Sequence, residues 1–139
     1  MNQQQALTRG VHHVGLTVAS LDETRDFFIG ALGFRVLGTD DAYPAVFLSD
    51  GTSVITLWQA ENGAEATPFD RRRNIGLHHL ALLVEDATAL DAVFAAATAW
   101  PGVSVDAPPE PTRPDSAANH ALIRIPGGIR VEFYAAPAN

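Results

Sequence analysis

The 139-residue chain contains no lysine and no cysteine; its nine basic residues are all arginine, at 9, 25, 35, 71, 72, 73, 113, 124 and 130. Without thiols there is no disulfide framework, no thiolate nucleophile and no cysteine-ligated zinc or iron–sulfur site. Without lysine there is no Schiff-base chemistry and no Walker-type phosphate loop. Positive charge is scarce overall, with 9 basic against 16 acidic residues and a net charge of −7. That balance argues against a nucleic-acid or anionic-membrane surface as the main partner. Arg71, Arg72 and Arg73 form the one basic cluster, too short to reverse it. Long apolar runs are missing too: Ala92–Trp100 is broken by Thr98 and is too short to span a bilayer. Met1–Gly10 is polar and lacks a signal core, so a cytoplasmic address is expected.

What is present suits one ordinary domain, expected over residues 8–136. Hydrophobic residues make up 47% and charged residues 18%, enough for a core without a staple. Five histidines, the carboxylates, the hydroxyls and the arginines are left to carry any chemistry.

The sequence repeats itself. His12-His13-Val14-Gly15-Leu16-Thr17-Val18 is echoed by His78-His79-Leu80-Ala81-Leu82-Leu83-Val84, and Ala45–Ala60 aligns without a gap on Ala121–Ala136. The offset grows from 66 to 76 between these segments, so the second copy carries ten extra residues. The spacing predicts two modules, 8–60 and 75–136, joined by a polar linker, 61–74. Each reads as a strand, a helix and a pair of strands about a tight turn, Ser49-Asp50-Gly51 in one and Pro126-Gly127-Gly128 in the other. Ser20 and Glu23 form a capping box for the first helix, whose apolar stripe is Phe27, Phe28, Ala31 and Leu32 before Gly33. The second helix is expected over Asp86–Trp100, with Leu90, Val93, Phe94 and Ala97 on one side. Proline-rich Asp106–Asn119 reads as a stiff loop or a lid.

Strand alternation then sorts the side chains. Leu16 and Val18, Leu80 and Leu82, and Val131 and Phe133 belong to helix-covered faces. His13, His79 and Glu132 fall on the opposite faces, with Thr56 and Trp58 at the repeat positions of Glu132 and Tyr134. Two neutral imidazoles and a carboxylate make the 2-His-1-carboxylate metal set. Each of the three taken alone reads more readily as an ordinary strand residue; three at matched repeat positions favour the metal. Trp58 and Tyr134 suit either packing or stacking on a planar substrate, and Arg130 suits either a substrate anion or a neighbouring acid. His12 and His78 are expected on the helix side or module edge in structural roles. The role of His120 stays open.

HHVGLTV-ASLDETRDFFIGALGFRV, LHHLALLV and GGIRVEFY together resemble the vicinal oxygen chelate superfamily, which includes glyoxalase I, extradiol dioxygenases, fosfomycin-modifying transferases and bleomycin-resistance proteins. The resemblance implies an α+β fold, two tandem βαβββ-type modules forming an open, curved barrel-like sheet with helices outside. It implies His13, His79 and Glu132 as ligands of a divalent metal (iron, manganese, zinc or nickel), with Glu132 also catalytic. It implies a homodimer and a small-molecule substrate, for which Thr56, Trp58, Arg130 and Tyr134 are the candidate contacts. The activity implied is dioxygenase-like or lyase/isomerase-like chemistry on an oxygen-chelating metabolite; the other class is sequestration of a small molecule or antibiotic without turnover. Thr56 stands where four-ligand glyoxalases place Glu or Gln. Gly15 stands where fosfomycin transferases place threonine, and their phosphonate lysine is absent.

Overall fold

The structure, a computed structural model, describes residues 4–137. Two copies of one βαβββ unit follow each other. The first is β1 (Val14–Val18), α1 (Leu21–Gly30), β2 (Arg35–Asp40), β3 (Ala45–Ser49) and β4 (Val54–Gln59). A short 3-10 turn, Gly63–Glu65, lies between the copies. The second is β5 (Leu80–Val84), α2 (Ala87–Thr98), β6 (Ser104–Pro111), β7 (Asn119–Arg124) and β8 (Arg130–Ala135).

Each unit makes its own four-stranded mixed sheet, ordered β1-β4-β3-β2 in one and β5-β8-β7-β6 in the other, and no hydrogen-bonded closure joins them among the described residues. The chain is thus α+β, two tandem modules of a curved, open architecture. The duplication reaches the register: Gly15 pairs with Thr56 and Thr17 with Trp58, while Ala81 pairs with Glu132 and Leu83 with Tyr134. Parallel pairing of first and last strand is what the intervening helix makes geometrically possible.

The helices begin where side-chain caps allow. The Ser20 hydroxyl accepts the Glu23 N–H at 3.2 Å, and the Asp86 carboxylate accepts the Ala89 N–H at 2.8 Å, each satisfying an otherwise orphaned donor. Gly33, at φ +76°, lets the chain leave α1 in a left-handed turn. Phe27 and Phe28 on α1 and Leu90 and Ala97 on α2 are buried, and they share one core with Leu57, Ile123, Val131 and Phe133 of the two sheets. Losing a phenylalanine from such a site costs about 3–5 kcal/mol. The modules touch through Trp100, whose ring meets Phe27 edge-on with centroids 6.4 Å apart and lies over Gly30.

The proline-rich segment departs from expectation. Residues 104–111 form an edge strand, not a loop or lid; only the turn 112–118 remains irregular. An edge strand needs its N–H groups on one side only, and the register shifts between Val105, Ala107 and Glu110 place Pro108 and Pro109 outside the ladder. In each module a third strand (β2 or β6) follows the helix, completing the pair read from the turn chemistry.

Candidate functional site

Both histidine pairs sit just ahead of their strands, since β1 starts at Val14 and β5 at Leu80. The rings within each pair touch in the same way. Nδ1 of His12 lies 2.9 Å from Nδ1 of His13, and Nδ1 of His78 lies 2.7 Å from Nδ1 of His79. His12 and His78 are exposed. They do not pack beneath a helix; they hold the following histidine.

Glu132 is the centre of the second module's open face. Alternation along β8 buries Val131, Phe133 and Ala135 and turns Arg130, Glu132 and Tyr134 to the other side. One carboxylate oxygen of Glu132, Oε2, lies 2.5 Å from His120 Nδ1. Its other oxygen, Oε1, lies 3.3 Å from His79 Nε2. The two carboxylate oxygens therefore face two different histidines. His120 comes from β7, where it opposes Tyr134, and its Nε2 is 4.0 Å from Glu110 on β6.

The Arg130 guanidinium stands 3.5 Å from His78 Nδ1, next to the His78–His79 contact. His79 Nε2 and the carboxylate Oε1 of Glu132 thus point at one another from adjacent strands, an imidazole and a carboxylate of the kind that ligate a divalent cation. The donor types fit a divalent metal, yet among the described residues no three His, Asp or Glu side chains within one chain converge on a metal position. His79 and Glu132 come together; His13 occupies the corresponding place in the other module.

Arg130 also donates from Nε to Asp106 at 2.8 Å, and Arg124 donates from its Nε to the same carboxylate at 3.0 Å. The Arg130 hydrogen bond, then that of Arg124 and the charges of both, hold the Asp106 carboxyl below its ordinary pKa despite the opposing effect of burial. The His78 ring is held below the ordinary imidazole value by desolvation, then by the positive charge of His79, Arg130 and Arg71. Arg130 therefore partners a neighbouring acid, Asp106, and not Glu132.

On the first module's open face, Thr56 is buried and donates its hydroxyl toward the Val14 carbonyl at 3.5 Å, while the Trp58 indole N–H donates to it at 2.9 Å. Gly15 makes room for this: a Cβ there would stand 3.2 Å from the Thr56 hydroxyl. Trp58 packs edge-on with Tyr43 and Phe47, at 4.9 and 5.9 Å between centroids. This module presents aromatic surface where the other presents carboxylate and imidazole.

The Glyoxalase/Bleomycin resistance protein/Dioxygenase superfamily matches over residues 10–133. The chain belongs to that superfamily. In fold, this superfamily member is similar to the glyoxylase/bleomycin resistance protein/dioxygenase domain from Frankia sp. EAN1pec, at TM-score 0.80 and 24% identity over 95% of each chain. It is similar to lactoylglutathione lyase from Agrobacterium tumefaciens, at TM-score 0.69 and 19% identity over 94% of this chain and 96% of that one. It is also similar to a mutant of the genomically encoded fosfomycin resistance protein from Listeria monocytogenes, complexed with Mn(II) and a dihydroxypropylphosphonic acid, at TM-score 0.73 and 16% identity over 94% of each. No curated protein matches the sequence significantly. No helix among the described residues is long and apolar enough to cross a membrane.

Three residues of this superfamily member's open face carry no assignment in the sequence pattern: Asp106 and Arg124, which pair with each other, and His120. His120 lies one residue before the gap-free alignment, where the same offset puts Pro44, so the repeat carries no signal for it. The signal available was alternation along β7 once its start at Asn119 is known.

Proposed function

We propose that this superfamily member is a divalent-metal-dependent enzyme acting on a small oxygen-chelating metabolite, cytoplasmic and homodimeric. The observation that carries the reading is His79 Nε2 facing Glu132 Oε1 at 3.3 Å. His79 and Glu132 supply two ligands, and a second copy supplies the third through its own His13, which is exposed at the start of an edge strand. Oligomers built on two-fold symmetry make such a shared site twice. When bound, the metal supplies Lewis acidity to two substrate oxygens, serving lyase/isomerase-like chemistry or, as iron, dioxygenase-like chemistry. Glu132 is the catalytic carboxylate in this reading, with His120 fixing its second oxygen. Thr56, Trp58, Arg130 and Tyr134 border the substrate. The names lactoylglutathione lyase and Mn(II)-bound fosfomycin resistance protein among the fold neighbours support metal-assisted chemistry on small oxygenated molecules.

The exposed Tyr43 against Trp58 favours a second reading, in which the cleft holds a planar drug-sized ligand without turnover. Elemental analysis of protein purified without added metal separates the two. About one equivalent of iron, manganese, zinc or nickel per chain, abolished by His79→Ala, is expected for the enzyme. Protein that takes up none of the four after soaking would falsify the metal site and leave the binding role.

A further inference from the structure

Arg124 and Arg130 lie directly opposite each other on β7 and β8, an arrangement in which like charges repel. Asp106 resolves it. This residue falls at the register shift between Val105 and Ala107, unpaired in the ladder, and takes the Nε–H of both arginines. One carboxylate against two guanidinium groups leaves a net positive charge, and Arg71 adds to it from the neighbouring linker, where its charge reaches His78. This concentration of positive charge stands in a chain of net charge −7.

The bracing leaves specific donors free. Both arginines are fixed through Nε, and among the described residues no hydrogen bond engages Nη1 or Nη2 of Arg124 or Nη2 of Arg130. A guanidinium held by one edge presents its other edge in a set direction, which suits the planar oxygens of an oxyacid. The Arg124 side chain is 40% exposed and that of Arg130 12%, so an anion approaches the pair from the Arg124 side. Apart from Asp106, the same face of β8 carries the Glu132 carboxylate two residues along, which His120 already engages.

We propose that Arg124 and Arg130, braced by Asp106, form a subsite for an oxyanion, the carboxylate or phosphate group of the substrate. This deepens the proposed function and rests on it only for the word substrate. Two residues along a strand separate Arg130 from Glu132 by about 7 Å between Cα atoms. The ligand is therefore a short molecule with its chelating oxygens at one end and its anionic group at the other.

The test uses full-length, metal-free protein and two probes, inorganic phosphate and acetate, followed through the arginine Nε–Hε signals in NMR. Either probe is expected to shift the Arg124 and Arg130 signals saturably; the tighter of the two identifies the oxyacid. Arg124→Gln, which keeps the Asp106–Arg130 pair, is expected to weaken binding about tenfold, as loss of a charge-assisted pair does. Arg35→Gln makes the same charge change on exposed β2 of the other module and is expected to leave binding unchanged. The proposal is overturned by signals that never saturate with either probe, or by equal weakening in Arg124→Gln and Arg35→Gln. Since no metal is present, anion binding that survives in a protein unable to load metal would count against the metal centre alone.

Discussion

The Asp106 carboxylate takes the Nε–H of Arg130 at 2.8 Å from a bulged position on an edge strand, tying β6 to β8 across the strand between them. Its pKa is depressed from the ordinary 3.8, so the carboxylate binds protons less readily folded than unfolded. The stabilisation is therefore fully present above that ordinary value and is lost as pH falls through the lower folded value. Asp106→Asn is expected to cost about 1 kcal/mol at neutral pH, on the scale of a partly exposed ion pair. Thermal melts of the two proteins should converge in acid below about pH 4, given the reference carboxylate range. A gap that persists unchanged to pH 2 would show that the pair contributes no charge interaction.

His120 is expected to act on metal affinity through Glu132. Removing it frees Oε2, which it engages at 2.5 Å, and lets the carboxylate rotate away from His79. Outer partners of metal ligands contribute about 10–100-fold to affinity, and His120→Ala should lose that much in a calorimetric metal titration. His120→Asn should recover part of it by offering an N–H from a shorter side chain. The circular dichroism of both should match the parent, since His120 is outside the apolar core.

The proposed sharing of the metal between two copies has an arithmetic consequence for mixed dimers. His13→Ala and Glu132→Ala should each lose metal. Unfolding and refolding them together should restore metal binding, because a mixed dimer contains one site with all three ligands intact. If the three ligands came from a single chain, no mixture would recover any.

Gly30 lies beneath Trp100, where an added Cβ would stand 2.3 Å from the indole ring. The ring is partly buried and packs edge-on against Phe27. Gly30→Ala should therefore destabilise the chain by about 1–3 kcal/mol, the usual cost of overpacking, although alanine favours helix. Denaturant unfolding measures it; a stabilised variant would mean the modules adjust freely at this contact.

Much of the fold was legible because period and punctuation agreed. Ser20, Gly33, Gly51 and the Pro126-Gly127-Gly128 turn each mark an element boundary by local chemistry, and alternation along β8 places Glu132 opposite Val131 and Phe133. Asp106 was not legible, because prolines at 108, 109 and 111 mask an edge strand whose bulges are set by its neighbour. His120 was hidden for a related reason: pairing across β7 and β8, not repeat symmetry, brings it to Glu132. The contact of each first histidine with the second, through Nδ1, depends on ring orientation and no sequence pattern encodes it.

The ten extra residues of the second module are not gathered in one insertion. Helix α2 is two residues longer than α1, β6 two longer than β2, and β7 opens two residues before the point that aligns with the start of β3. Those last two residues are Asn119 and His120, and the lengthened β6 contributes Asp106. His120 thus arises where the copies diverged in length, whereas Arg124, Arg130 and Glu132 replace Leu48, Val54 and Thr56 at matched positions of an unchanged framework. A twinned scaffold has become a handed one, with one half specialised to present imidazole, guanidinium and carboxylate and the other to present aromatic surface.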